Sequence, residues 1–130
     1  MAMNNRTNRS QGVELSRMIS PGQHAMLDYL VAGMFFMKGA ALRDRHPRAS
    51  ALAYANGAMV AGMSMMTDYP GGLMKAISFQ GHRTGDIIQA AFAALGPALF
   101  GFPRDPEANY FYAQAASEVG VIATTDWDAA

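Results

Sequence analysis

An internal repeat constrains the fold of this chain more than any other feature of its sequence. Residues 19–28, ISPGQHAMLD, align with residues 77–86, ISFQGHRTGD, with four identities at a constant shift of 58 positions. The same shift places residues 67–69, TDY, on residues 125–127, TDW. Matches at one shift over so many polar positions indicate a tandem duplication. The predicted organisation is a polar arm (residues 1–18), a first hairpin repeat (19–76) and a second hairpin repeat (77–130).

Each repeat is predicted to be a pair of helices. Ser20, Pro21 and Gln23 have the residue types and spacing of an N-cap with a capping box, so helix 1 starts there and runs to about Leu42. Ser78 caps helix 3, which runs to about residue 100. Helices 2 (about 49–67) and 4 (about 107–125) follow loops rich in proline and charge. No segment alternates like a half-buried strand, which predicts an all-α four-helix bundle.

The composition is compatible with a bundle in water and with a bundle in a lipid bilayer. Charged residues make up 15% of the chain, against roughly 25% in soluble domains. Residues 49–67 and 87–103 contain no charge and approach the roughly 20 residues that cross a bilayer. Helices 1 and 4 are poorer candidates because Asp28, Lys38 and Glu118 interrupt them. Since the mean hydropathy of +0.02 is low for four spans, a soluble four-helix bundle remains an alternative at this point.

The same composition excludes several classes of function. Ten basic and ten acidic residues give zero net charge, which argues against a nucleic-acid partner. The absence of cysteine excludes disulfides, thiolate metal sites and a cysteine nucleophile. No phosphate-binding loop or nucleophile elbow is visible. We therefore predict that the protein is not an enzyme and has no cofactor.

A resemblance to a known family favours a membrane location for the bundle. The order of short motifs over most of residues 18–127 resembles the SPW-repeat family of small bacterial membrane proteins. These motifs are Ile19-Ser20-Pro21 with His24 and Leu27-Asp28-Tyr29, then Thr67-Asp68-Tyr69 before Gly71-Gly72-Leu73, then His82 with Asp86, and finally residues 96–102, GPALFGF. The resemblance implies tandem two-helix units in a membrane and no established activity. The namesake Ser-Pro-Trp is replaced here by Gly96-Pro97-Ala98, and by Lys38-Gly39-Ala40 in the first repeat.

The resulting prediction is an all-α, four-helix membrane bundle made of two tandem two-helix repeats, in the bacterial inner (cytoplasmic) membrane. Five Lys or Arg residues lie on each side, so the positive-inside rule gives no orientation. A cytoplasmic N-terminus is expected, because a polar arm without a signal peptide is easier to retain than to translocate. The expected role is a structural or accessory subunit of a larger membrane assembly. Its expected partners are membrane lipid and other membrane subunits.

Two pairs of polar residues are the main candidates for a site. A spacing of four places His24 and Asp28 on one helix face, and His82 and Asp86 on the equivalent face. The preferred interpretation is a structural one, in which hydrogen bonds between the pairs join the two hairpins. The alternative is a module that binds a small ligand, an ion or a metal at the repeat interface, because imidazole and carboxylate are common metal ligands.

Three further acidic residues are candidates for the polar network or for a functional role. Asp68 and Asp126 follow helix C-termini, where negative charge is unfavourable, so each is expected to find a cationic partner and to extend the polar network. The candidate partners are Arg17, Lys75, Arg83 and the histidines. Glu118 lies within helix 4, and an acid inside a membrane helix is a functional candidate by default. Protonation, or pairing with Gln114 or Tyr112, is the structural alternative.

Overall fold

Four helices joined by short loops make up the part of the chain that the structure describes, residues 17–129 of a computed structural model. They are α1 (Pro21–Leu42), α2 (Pro47–Met65), α3 (Phe79–Leu99) and α4 (Ala108–Thr124). Helix α1 packs on α2, α3 packs on α4, and α2 meets α3 between the two hairpins. The predicted all-α four-helix bundle is therefore confirmed. Nearly all of the predicted polar arm lies outside the described residues.

Local capping explains where α1 and α3 begin. Ser20 Oγ accepts a hydrogen bond from the Gln23 amide at 3.2 Å, and Gln23 Oε1 accepts one from the Ser20 amide at 3.0 Å. In the second hairpin, Ser78 Oγ accepts from the Gly81 amide at 2.9 Å. These bonds satisfy amides that have no partner within the helix. Both helices therefore start where the sequence predicts.

Helix α2 is displaced toward the N-terminus relative to its prediction. It begins at Pro47 because His46 Nδ1 accepts a hydrogen bond from the Ala49 amide at 3.1 Å, a capping role that the sequence did not suggest. It ends at Met65, before Thr67, since Thr67 forms a single parallel bridge with Ile77 instead of continuing the helix.

Equivalent backbone contacts connect the two hairpins at one end of the bundle. We call this the proximal end, where α1 and α3 begin and α2 and α4 end; the opposite end is the distal end. The Ile19 amide donates to the Thr124 carbonyl at 3.0 Å, and the Ile77 amide donates to the Met66 carbonyl at 2.8 Å. These two contacts correspond under the shift of 58 positions. The start of each hairpin is thus bound to the end of the other.

The bundle interior has apolar layers near its two ends and a polar zone between them. The distal layer is built from Phe35, Leu42, Ala49, Leu52, Ala53, Phe102, Ala108 and Phe111. The proximal layer consists of Ala25, Tyr69, Phe79 and Trp127. Buried polar side chains include Asn56, Gln89, Gln114 and Glu118 near the middle of their helices. Such a polar interior is unusual for a small water-soluble bundle.

By length and composition, one helix in the described part of the chain is apolar enough to cross a membrane, and it is α1. From the distribution of charge alone, α1 is a poorer candidate than the charge-free stretches of α2 and α3. The order differs because α2 and α3 owe their lack of charge largely to alanine and glycine, whereas α1 carries larger apolar side chains around Asp28. The absence of charged residues is therefore a poor measure of the hydropathy of α2 and α3.

Candidate functional site

Two histidines and two aspartates meet inside the bundle near its proximal end. Neither histidine has any exposed surface, and Asp28 and Asp86 expose only 4% and 3% of theirs. Between helices, His24 Nε2 lies 3.0 Å from Asp86 Oδ2, and His82 Nε2 lies 3.1 Å from Asp28 Oδ2. Within helices, the corresponding Nε2 to Oδ1 distances are 3.4 Å for His24 and Asp28 and 3.0 Å for His82 and Asp86. Each imidazole therefore lies between both carboxylates; we call these four residues the His/Asp cluster.

Two threonines orient the histidine rings. His24 Nδ1 lies 2.8 Å from Thr125 Oγ1, and His82 Nδ1 lies 2.7 Å from Thr67 Oγ1. Each threonine hydroxyl donates its proton to the carbonyl four residues earlier in the chain, at 2.7 Å for Thr125 and 2.6 Å for Thr67. Since that proton is already used, the hydroxyl oxygen accepts from Nδ1–H. This places a proton on Nδ1 and leaves Nε2 of each ring directed toward the carboxylates.

Three atoms of the cluster lack a hydrogen-bond partner among residues 17–129. They are Nε2 of His24, Nε2 of His82 and Oδ2 of Asp86. Each lies at ion-pair distance from an oppositely charged or polar neighbour, but none of these approaches has the direction of a hydrogen bond. Buried polar atoms are nearly always satisfied in folded proteins. Each ring nitrogen thus lies near oxygens of both carboxylates without a one-to-one hydrogen bond.

Tyr69 distinguishes the two carboxylates. Its hydroxyl donates to Asp28 Oδ2 at 2.7 Å. Burial, and then the neighbouring Asp28 carboxylate, raise the pKa of Tyr69, so this hydroxyl stays protonated and remains a donor. The equivalent position is Trp127, whose Nε1 donates to the Ile122 carbonyl at 2.9 Å instead. Asp86 therefore has no counterpart of the Tyr69 hydroxyl, although the rest of the cluster has matching contacts.

Aromatic rings cover the cluster on its proximal side. The Trp127 ring lies 5.0 Å from the His24 ring, and the Tyr69 ring lies 5.2 Å from the His82 ring, measured between centroids. Phe79 packs against Trp127 at 4.8 Å. Such a cover excludes water, which strengthens electrostatic interactions in the cluster and raises the cost of leaving one of its charges unpaired.

Asp68 and Asp126 do not join the cluster. Asp68 forms a salt bridge with Lys75 at 3.4 Å in which both side chains are more than half exposed. Asp126 Oδ1 accepts from the Asp128 amide at 3.3 Å, and it has no salt bridge to any basic residue that the structure describes. The predicted polar network includes both aspartates. The structure instead places there the residue before each aspartate, because the threonine side chain turns inward where the helix ends.

A second row of buried polar groups crosses three helices. Gln89 Nε2 donates to Asn56 Oδ1 at 3.0 Å and to Gln114 Oε1 at 3.1 Å, and Gln114 Nε2 lies 3.4 Å from Glu118 Oε2. Glu118 Oε1 has no partner within the described residues. Glu118 is thus buried and adjacent to Gln114, one of the two neighbours considered from the sequence. Asn56 and Gln89 were not anticipated, because a single amide in a helix carries no sequence signal.

One more group of possible metal ligands lies at the distal end and consists of His46, Asp105 and Glu107. His46 Nδ1 caps α2 through the Ala49 amide, and His46 Nε2 lies 2.8 Å from Asp105 Oδ2. Both ring nitrogens are therefore already used. This group is a helix cap joined to the α3–α4 loop.

Comparison with known proteins gives no relative on which to base a function. No protein-family model, no curated protein and no solved structure matches the chain. The resemblance to the SPW-repeat family stays a prediction.

Proposed function

We propose that this chain is a small multi-pass membrane protein, formed by duplication of a helical hairpin, with a structural or accessory role and no catalytic activity of its own. One observation carries the proposal. Polarity is inverted relative to a water-soluble bundle, with an uncharged exterior around a polar interior.

The charged residues are divided between the ends and the interior. Exposed charges near the proximal end are Arg17, Asp68, Lys75, Arg83 and Asp128, and those near the distal end are Arg43, Asp44, Arg45, Arg48, Arg104 and Asp105. In the described chain between these two groups, no exposed helix position carries a charge. The acids at this depth, Asp28, Asp86 and Glu118, are all buried. Ionisable residues within membrane proteins face the bundle interior in the same way.

Large apolar side chains occupy the exterior between the charged ends. More than half of the residue surface is exposed at Met26, Leu30, Met37, Ile88, Leu95 and Leu99, and slightly less than half is exposed at Met34. Lipid tails solvate such side chains well and solvate polar groups poorly, whereas water imposes the opposite arrangement. In α2, α3 and α4 the polar side chains that lower hydropathy include Asn56, Gln89 and Gln114, which face the interior. These helices can therefore contact lipid despite their modest average hydropathy.

The length of the uncharged exterior fits a membrane. Residues 84–99 of α3 follow Arg83 and span about 24 Å at the helical rise of 1.5 Å per residue. A bilayer core is about 30 Å thick. Long arginine and lysine side chains at both edges can reach the headgroups, and local thinning absorbs a mismatch of this size. The predicted location, a bacterial inner membrane with the N-terminus in the cytoplasm, stays a prediction.

A lysine within the uncharged exterior tests membrane insertion. Leu95→Lys is expected to reduce the membrane-integrated fraction, because a lysine within a span is unfavourable, by about 2.5–3.5 kcal/mol at its centre and by less toward its ends. Gln80→Lys, on the exposed first turn of the same helix, is the control and should insert normally. The measurement is the fraction of tagged protein that stays in membranes after alkaline extraction. A water-soluble bundle predicts the opposite, with wild-type protein in the soluble fraction and no penalty for Leu95→Lys.

An accessory role is supported by a groove on the outside of α3 and α4. It has a volume of about 550 Å³, and its lining includes Ala91, Ala94, Ala115 and Ala116. Small residues let a neighbouring helix approach closely in a membrane. We assign this groove to a transmembrane helix of a partner protein.

Filling the groove tests this assignment. Ala94→Leu and Ala116→Leu should convert the complex extracted in mild detergent into free 13.9 kDa chains. Ala58→Leu adds the same side chain at an exposed position of α2 outside the groove and should leave the complex intact. Wild-type protein that is already a single free chain under these conditions would contradict the accessory role.

A further inference from the structure

We propose that the His/Asp cluster binds one divalent transition-metal ion of the zinc type. The ligands are Nε2 of His24, Nε2 of His82 and one carboxylate oxygen from each of Asp28 and Asp86. This inference goes beyond the proposed membrane role and does not depend on it, because the site is complete within the bundle.

The dimensions of the cluster match a tetrahedral site. The candidate ligand atoms, one from each residue, all lie within 4.8 Å of one another. Each ring nitrogen lies 3.0 to 3.4 Å from an oxygen of both aspartates, and the two histidines face different oxygens of each carboxylate. A tetrahedral zinc ion with bonds of about 2.0–2.1 Å places its ligand atoms about 3.3–3.4 Å from each other. An ion can therefore bind if side-chain rotations bring the ligand atoms closer together by up to about 1.5 Å.

Charge and ligand chemistry select the class of ion. Two neutral imidazoles and two carboxylates carry a charge of minus two, which a divalent cation neutralises in a site with almost no exposed surface. Two nitrogen and two oxygen donors suit zinc and its first-row neighbours. Calcium and magnesium prefer oxygen donors alone. Copper(I) prefers sulfur ligands, and the chain has no cysteine.

The surroundings of the cluster are those of an oriented metal site. Metal-binding histidines usually donate their second ring N–H to an oxygen acceptor, which fixes the ring and the tautomer. Thr125 and Thr67 are such acceptors for His24 and His82. The three buried atoms without a hydrogen-bond partner among residues 17–129, both Nε2 atoms and Asp86 Oδ2, belong to the proposed ligands. Three of the four proposed ligand residues thus contribute an atom that lacks a hydrogen-bond partner.

Metal titration of the full chain tests the proposal. Protein purified in detergent is treated with a chelator, and Zn²⁺ alone is then titrated with calorimetric detection. We expect one ion per chain, and we expect Asp86→Asn and His82→Gln to weaken binding by more than about 100-fold, since even outer-shell changes cost 10–100-fold. Asp105→Asn, in the distal His46 group, is the control and should bind as the wild type does.

Two further variants, each with its own control, separate ligation from a structural role. The chain contains no cysteine, so His82→Cys introduces a single thiol, and its Co²⁺ complex should show a thiolate-to-cobalt charge-transfer band. Asp68→Cys, exposed at the same end, should show no such band.

Thr67→Val should weaken Zn²⁺ binding by about 10–100-fold. Thr124→Val is its control and should not weaken binding, because the Thr124 hydroxyl donates to the Gly120 carbonyl of its own helix.

The decisive negative result is a helical, monodisperse wild-type protein that binds neither Zn²⁺ nor Co²⁺. Equal Zn²⁺ affinity in the wild type, Asp86→Asn and His82→Gln would also overturn the proposal. In either case the four side chains form an ion-paired network only.

Discussion

Replacing Asp86 with asparagine is expected to lower the free energy of unfolding by about 3–5 kcal/mol, the usual cost of removing one partner from a buried ion pair. Asparagine preserves the shape of the side chain but not its charge. His24 and His82 each lose a carboxylate oxygen at 3.0 Å, and both rings are fully buried. The measurement is chemical unfolding in detergent with a chelator present, so that loss of a bound ion does not contribute.

Asp68→Asn is the matched control for this experiment. Its salt bridge with Lys75 is exposed, and exposed pairs typically contribute about 0–1 kcal/mol. The two variants remove the same charge, one inside the His/Asp cluster and one outside it. If Asp86→Asn were as stable as Asp68→Asn, charge within the cluster would not be what joins the two hairpins.

Phe111→Ala is expected to have the other large effect, a loss of about 3–5 kcal/mol of unfolding free energy. Phe111 is fully buried in the distal layer. Its ring centroid lies 6.1 Å from that of Phe35 and 5.8 Å from that of Phe102. Truncation leaves a cavity that removes dispersion contacts, and this loss occurs in lipid as well as in water. Unfolding monitored by far-UV circular dichroism measures it.

Phe36→Ala provides the comparison for Phe111→Ala. Phe36 is the neighbouring residue of Phe35 in α1, but 38% of its surface is exposed. Solvent or lipid can fill the space that its truncation leaves, so its effect should be less than half as large. Similar losses for both variants would mean that the distal layer is not a packed core.

Taken together, the two expected losses assign a different interaction to each end of the bundle. Charged and hydrogen-bonded groups hold the proximal end, where the hairpins also exchange backbone hydrogen bonds. Apolar packing without buried charge holds the distal end. The proposed metal site and the distal layer are therefore spatially separate, so the effects of variants in one can be interpreted independently of the other.

Where the sequence predicted well, the signal was local. The starts of α1 and α3 follow from Ser20 with Gln23 and from Ser78, because capping depends on residues within one turn. The start of α2 was placed too late, since histidine is not among the preferred N-cap residues. The motif Thr67-Asp68 recurs in the sequence and predicts that its aspartate joins the polar network, whereas in the structure its threonine does so. The direction of each side chain depends on where the helix ends, which the motif does not specify.

The sequence by itself determined the number of helices, two of their starting points, the repeated His and Asp spacing and the uncharged stretches, because each depends on residues close together in the chain. Only the tertiary structure decided that the two pairs meet, that Thr67 and Thr125 orient the rings, and that Tyr69 contacts Asp28 without an equivalent at Trp127. It also decided which helix faces are buried. These contacts join residues as many as 101 positions apart, and they depend on how the helices pack, which no local periodicity specifies.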